Sequence, residues 1–295
     1  ANMTLKSWQG DKLDWPHIER CREAGVKRFK DSVAKVMTDL DGMIADGGKV
    51  LFAHTMAGGI PRAKVFLALA NRIYKGRGER FMSSRALLDS DLGKLILMNF
   101  DEVTANTFQY LIEGSAAIRA RMEKTGGQVR YAAYGYHGTE ILIGGQYQWQ
   151  TYSNYAQGYA KMRLERVAQA AWSRGIGATV YNCPEIRTNS SDIFVGVELS
   201  LFPLLTALRK ENGGVWAEAQ WQACRDLLRE RSSLEELLCK IDAYNLNSVM
   251  QRYRNFESWP MDNSEALADL MIGTSEEIVQ MHKDRKALVT DRLSA

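Results

Sequence analysis

An α/β fold with a parallel sheet is predicted for this chain by three observations. Short apolar runs of strand length alternate with longer stretches of helical periodicity between residues 15 and 212. Each strand candidate runs into a segment rich in glycine, small polar or aromatic residues, the mark of strand ends that open onto a crevice. Residues 213–295 carry three or four helical segments and no strand candidate, so an all-helical appendage is expected behind the α/β core.

The elements follow in order. "WPHIERCREAGVKRFKDSVAKVMTDLDGMIADGG" spaces Val26, Phe29, Val33, Val36, Met37 and Leu40 by three and four residues, one apolar helical stripe that Gly47-Gly48 should stop. "KVLFAH" (49–54) has the length and character of a buried strand ending in "HTMAGG". "PRAKVFLALANRIYKG" reads as a helix with Pro61 in its first turn. A single long helix is expected over "DLGKLILMNFDEVTANTFQYLIEGSAAIRARMEKTGG". "QVRYAAYGYHG" (128–138) is the next strand, and 139–151 reads as a loop rich in Gly, Gln and aromatics. A helix over 155–174, a strand in "GIGATVYNCPEI" and a helix over "FVGVELSLFPLLTALRKENGG" complete the core. Three segments result: a helical 1–45, an α/β core 46–212 and a helical 213–295.

Composition narrows the function. The 295 residues are 45% hydrophobic with net charge +3, and 38 basic and 35 acidic residues are well mixed, so no footprint for nucleic acid or a membrane surface stands out. Cys21, Cys183, Cys224 and Cys239 are scattered, with no CxxC pair and no histidine at metal-ligand spacing. That usage suits a reduced, cytoplasmic protein without a metal site. Cys183 is expected to be a buried, inert thiol. The most apolar stretch, 195–208, contains Glu198 and is too short to span a bilayer.

The segment "TYSNYAQGYAKMRLE" (151–165) opens the helix after the second strand and carries the chemistry. A tyrosine, with an ordinary pKa near ~10, is a poor acid at neutral pH. A lysine ammonium nearby stabilises the phenolate and lowers that pKa, and it can also hydrogen-bond a dinucleotide's ribose. Tyr152 precedes Lys161 by nine residues, about 900° of helical turn, which would put the two on opposite faces of one helix. They can meet only if Tyr152 lies in a non-helical lead-in, with Ser153 or Asn154 as N-cap. Tyr155 and Tyr159 read as packing residues, and His54 and His137 as loop hydrogen-bonders.

These motifs resemble the short-chain dehydrogenase/reductase superfamily over about residues 30–210, which implies a Rossmann-like sheet. "GKVLFAHTMAGG" resembles its fourth strand and Ala-Gly turn, and "RGIGATVYNCPEIRT" its strand and Pro-containing loop over the nicotinamide. The Tyr-x8-Lys spacing, "YHGTEI" and "TNSSDIFVGVELSLFPLLTALRKENG" are similar to the branch of trans-2-enoyl-ACP and enoyl-CoA reductases. The resemblance implies NADH or NADPH as cofactor and an acyl thioester, on acyl carrier protein or CoA, as substrate. It makes Tyr152 the proton donor, Lys161 its partner and ribose ligand, and Tyr136 a donor to the thioester carbonyl. It sets His54, Ala57, Gly58, Pro184, Ile186, Thr188 and Ser190 against the cofactor. Asn99 falls at the position of an active-site asparagine, and the apolar helix 194–208 would line an acyl groove.

One feature of that superfamily is missing. No GxxxGxG or GxGxxG follows any strand; the glycine pairs in "HTMAGGIP" and "ILIGGQYQ" have neither its spacing nor the helix start. The first strands of such a sheet are therefore expected on an N-terminal half of a longer protein, or on a partner chain. A homo-oligomer also suits an uncovered sheet. Two alternatives remain: a ketoreductase acting on a carrier-bound polyketide or fatty-acyl intermediate, and a non-catalytic scaffold subunit.

Overall fold

A computed structural model of the chain describes residues 4–56, 64–150, 156–183, 196–258 and 260–293. It is an α/β protein in the Rossmann-like manner, with a parallel sheet, flanking helices and a helical remainder. Its contacts divide into two compact units, each discontinuous in sequence: residues 1–62, 88–137 and 155–183 form one, and residues 63–87, 138–154 and 184–295 the other.

The first unit holds the parallel sheet, ordered β1 (Lys49–His54), β2 (Gln128–Gly135), β5 (Ala178–Asn182). Register sets His54 opposite Ala133, and Gly135 opposite Asn182, so the three carboxyl ends lie side by side. Helix α1 (Trp15–Asp41) starts where Asp14 accepts from the His17 amide at 3.0 Å, with Pro16 in the first turn. It ends at Asp41, before the expected Gly47-Gly48. Helix α7 (Ala156–Trp172) links β2 to β5. Phe52, Phe108, Ile112, Met122, Val129, Tyr131, Leu164 and Ala168 share the core on one sheet face.

The expected long helix before β2 is interrupted. It runs as α4 (Asp91–Phe100), a π-helical stretch (Asp101–Asn106), α5 (Thr107–Gly114) and α6 (Ala116–Lys124). Asp101 pairs with Arg163 of α7 at 3.1 Å, whereas Glu102 accepts from Arg22 of α1 at 2.8 Å. Adjacent acids in the widened turn therefore bind different neighbours.

The second unit also contains strands. Residues 139–150 are an antiparallel hairpin, β3 (Thr139–Ile143) and β4 (Gln146–Gln150), where a loop was expected. Gly144 and Gly145 turn it with φ of 53° and 78°. A two-residue turn with positive φ at both positions matches strand twist, and Gly-Gly is among its sequence signatures. The unit's helices are α2 (Lys64–Lys75), α3 (Ser84–Leu88) and α8 (Pro203–Glu211), then α9 (Val215–Arg225), α10 (Leu234–Leu246), α11 (Ser248–Gln251), α12 (Glu265–Met281) and α13 (Val289–Leu293). The helix expected over 194–212 begins only at Pro203, after a 3-10 turn at Val197–Ser200. Leu199, Leu201, Phe202 and Leu205 are fully buried, whereas Leu204 between them is exposed. Among the described residues, no helix is long and apolar enough to cross a membrane.

Candidate active site

Helix α7 directs two side chains, one turn apart, at the carboxyl end of β2. Lys161 is 8% exposed, and its Nζ donates to the Tyr134 carbonyl at 2.6 Å. Four residues on, Glu165 meets Nε2 of the buried His137 at 3.0 Å. Gly135 lies between these contacts and has no room for a side chain. A Cβ there would come within 2.8 Å of Val180 Cγ1 and 3.7 Å of Glu165 Oε1. Strand β5 closes the edge, where the Cys183 amide donates to the Gly135 carbonyl at 3.0 Å. Cys183 is half-buried, not the buried thiol expected.

On the neighbouring strand His54 is 4% exposed, and its Nε2 lies 2.8 Å from Thr107 Oγ1. That threonine donates its only hydroxyl proton to the Val103 carbonyl at 2.6 Å. It must therefore accept from His54, so Nε2 carries the proton and Nδ1 is left as an acceptor. Nδ1 is buried, with no hydrogen-bond partner among the described residues. Burial, aided by the Lys161 charge, lowers the His54 pKa to about 4, so the ring is neutral at physiological pH.

Lys161 is perturbed as well, because burial lowers its pKa. Among the described residues no carboxylate pairs with it. A buried ammonium with donors to spare, beside an unengaged imidazole acceptor, can take a ligand rich in hydroxyl groups, such as the ribose of a dinucleotide. The carboxyl edge of a parallel sheet is where such ligands bind.

The structure thus brings Lys161 and His54 together. Tyr136 follows β2 and is half-buried. Tyr152, Ala57, Gly58, Pro184, Ile186, Thr188 and Ser190 lie outside the described residues, as do Ser153, Asn154 and Tyr155. The sequence reading missed Thr107 and Glu165. Glu165 had a signal in its i+4 spacing from Lys161; Thr107 had none, since it is 53 residues from His54 and inside an apparently regular helix.

Over residues 1–295 the chain matches the model of one family, described as enoyl-acyl carrier protein reductase FabMG. The chain belongs to this family. A solved apo structure of FabMG, described as one of the novel types of enoyl-acyl carrier protein reductase, is 76% identical with a TM-score of 0.94. It is matched over 100% of this chain and 66% of that chain. A second FabMG structure, with NADH bound, is 66% identical with a TM-score of 0.79, over 99% of this chain and 67% of that chain. The chain therefore spans about two thirds of the length of these FabMG chains. No curated protein matches it significantly.

Membership in the FabMG family corrects the resemblance to the short-chain dehydrogenase/reductase superfamily and its Tyr-x8-Lys branch. The whole-chain match is to a family model of its own, and the solved relatives are described as novel types of enoyl-acyl carrier protein reductase. The physical reason is that the segments carrying the resemblance are short and generic. A parallel sheet with a lysine on a crossover helix and small residues at its strand ends is an arrangement that many binding sites share.

Proposed function

We propose that this chain serves NADH-dependent reduction of the carbon–carbon double bond of an enoyl thioester carried on acyl carrier protein, with Lys161 at the centre of the site. The buried Lys161 ammonium at the carboxyl edge of the parallel sheet carries the reading. Whole-length membership of an enoyl reductase family and the NADH-bound relative support it. The bound dinucleotide supplies a hydride to the β-carbon of the substrate. Lys161 has ammonium donors beyond the one spent on Tyr134, and they would hold the ribose hydroxyls; the neutral His54 Nδ1 would accept from the same region.

A proton must then reach the α-carbon. Tyr152 is the proposed donor, with Lys161 lowering its pKa through charge, and Tyr136 is the proposed hydrogen-bond donor to the thioester oxygen. Tyr152→Phe is expected to reduce turnover of crotonyl thioester by about 100-fold or more, the usual worth of a general acid, while NADH fluorescence titration stays unchanged. Full turnover in that variant would remove Tyr152 from the mechanism. Lys161→Ala should weaken NADH binding and rate together, and an unaltered NADH affinity would refute its role at the ribose.

A further inference from the structure

A cavity of about 580 Å³ opens in the first unit between α1 and the α4–π–α5 run. That volume lies within the range of small-ligand sites and far exceeds ordinary packing voids. Ile18, Val26, Phe29, Leu95, Met98 and Val103 make its lining predominantly apolar. Its polar members are already engaged. Glu102 accepts from Arg22 at 2.8 Å, from Tyr110 at 2.8 Å and from Asn106 at 3.0 Å. Arg22 also donates to Glu19, and His17 lies 3.5 Å from Cys21 Sγ. An apolar occupant therefore meets no stranded charge, whereas an ionic one would have to break these bonds.

Two further observations tie the cavity to the site. Thr107 lines it and is the residue that bonds His54, and Met56, two residues past β1, lines it too. The cavity thus comes up, through Thr107, to the residue that holds His54 at the end of β1. Gly25 lines it from the middle of the 27-residue α1, where glycine weakens a helix relative to alanine. A Cβ at Gly25 would meet nothing nearer than an Arg28 guanidinium nitrogen at 3.9 Å. Packing therefore does not require a glycine there; what its missing side chain preserves is open volume.

We infer that this cavity receives the hydrocarbon tail of the acyl substrate, a saturated or enoyl chain of medium length, with the thioester end towards Thr107. The inference rests on the enoyl reductase reading for the identity of the chain, but its test does not depend on turnover. Calorimetry on the full chain without cofactor would use decanoyl-pantetheine and butyryl-pantetheine. The longer chain should bind at least tenfold more tightly, since several more methylenes leave water. Gly25→Leu puts a branched side chain into the volume at a helix-favouring position. It should weaken decanoyl binding roughly tenfold, leave butyryl binding unchanged and not lower the Tm. Gly25→Ala, a milder filling, should give a smaller loss in the same direction and serves if the leucine variant is unstable.

Equal affinity for both chain lengths in the unmodified protein would overturn the inference, as would decanoyl binding untouched by Gly25→Leu. A Gly25→Leu variant that loses NADH affinity but keeps decanoyl affinity would assign the cavity to the cofactor and overturn it too. Failure of the reductase reading would instead show as absent NADH-dependent turnover in a protein whose chain-length preference persists.

Discussion

The two faces of the parallel sheet differ sharply. On one face Val129, Tyr131, Ala133 and Gly135 of β2 are all buried, with Tyr131 stacked on Phe52 at 5.5 Å between ring centroids. Arg119 anchors the Tyr131 hydroxyl at 2.7 Å, and Ser115 lies 2.6 Å from it. On the other face Leu51 is 65% exposed, Tyr181 58% and Tyr134 45%. Parallel sheets usually bury both faces, so their strands read as unbroken apolar runs. Here β2 instead alternates, with Arg130 and Tyr134 between its buried residues. Apolar burial in this sheet is therefore concentrated on the packed face.

That contrast can be broken at three depths. Tyr131→Ala should have the largest effect, about 3–5 kcal/mol of destabilisation by denaturant titration, because it empties a core site and strands its polar neighbours. A loss below about 1 kcal/mol would mean that the packed face tolerates voids. His54, on the same face, should come next and depends on pH. Its folded pKa of about 4 lies below the ordinary histidine value of 6.5, so between those pH values the unfolded chain binds the extra proton. Stability should be intact above pH 6.5 and should fall by up to about 3 kcal/mol as the pH drops towards 4. Tm measured from pH 7.5 to 5 should fall less steeply in His54→Gln, and parallel curves would contradict the shift. Tyr181→Ser, on the open face, should change stability by no more than about 0.5 kcal/mol. A large loss there would show that the open face is covered in solution.

Much of the fold was legible because period and length carry it. Helix α1 and the three parallel strands follow from apolar spacing, although Val36 of the expected stripe is exposed, and the placing of the candidate site at the strands' carboxyl ends follows from topology. The alternation of β2 could also have been read, since Val129, Tyr131 and Ala133 flank Arg130, but "AAYG" blurs it into a continuous run. The hairpin was lost because Ile141, Leu142 and Ile143 are all buried, which hides the alternation a half-exposed strand would show. The Gly144-Gly145 turn was the surviving signal. The π-helical stretch left none, because "DEVTAN" spaces its apolar residues as an ordinary helix does.

In the site, Lys161 was readable from its place on the helix after β2. The His54–Thr107 bond was not, because long-range pairs of ordinary residue types leave no local pattern. The family resemblance failed where motifs of a few residues were asked to separate families that share one binding geometry.

The π-helical stretch has a consequence for how the chain can vary. A residue inserted into a helix rotates everything after it by about 100°. The wide turn at Asp101–Asn106 therefore sets the phase of α5, which carries Thr107 towards His54 and Tyr110 towards Glu102. Deleting a single residue from this turn would leave every downstream side chain chemically intact and facing elsewhere. The geometry of these contacts is encoded in chain length as much as in residue identity, and a substitution scan would pass over it.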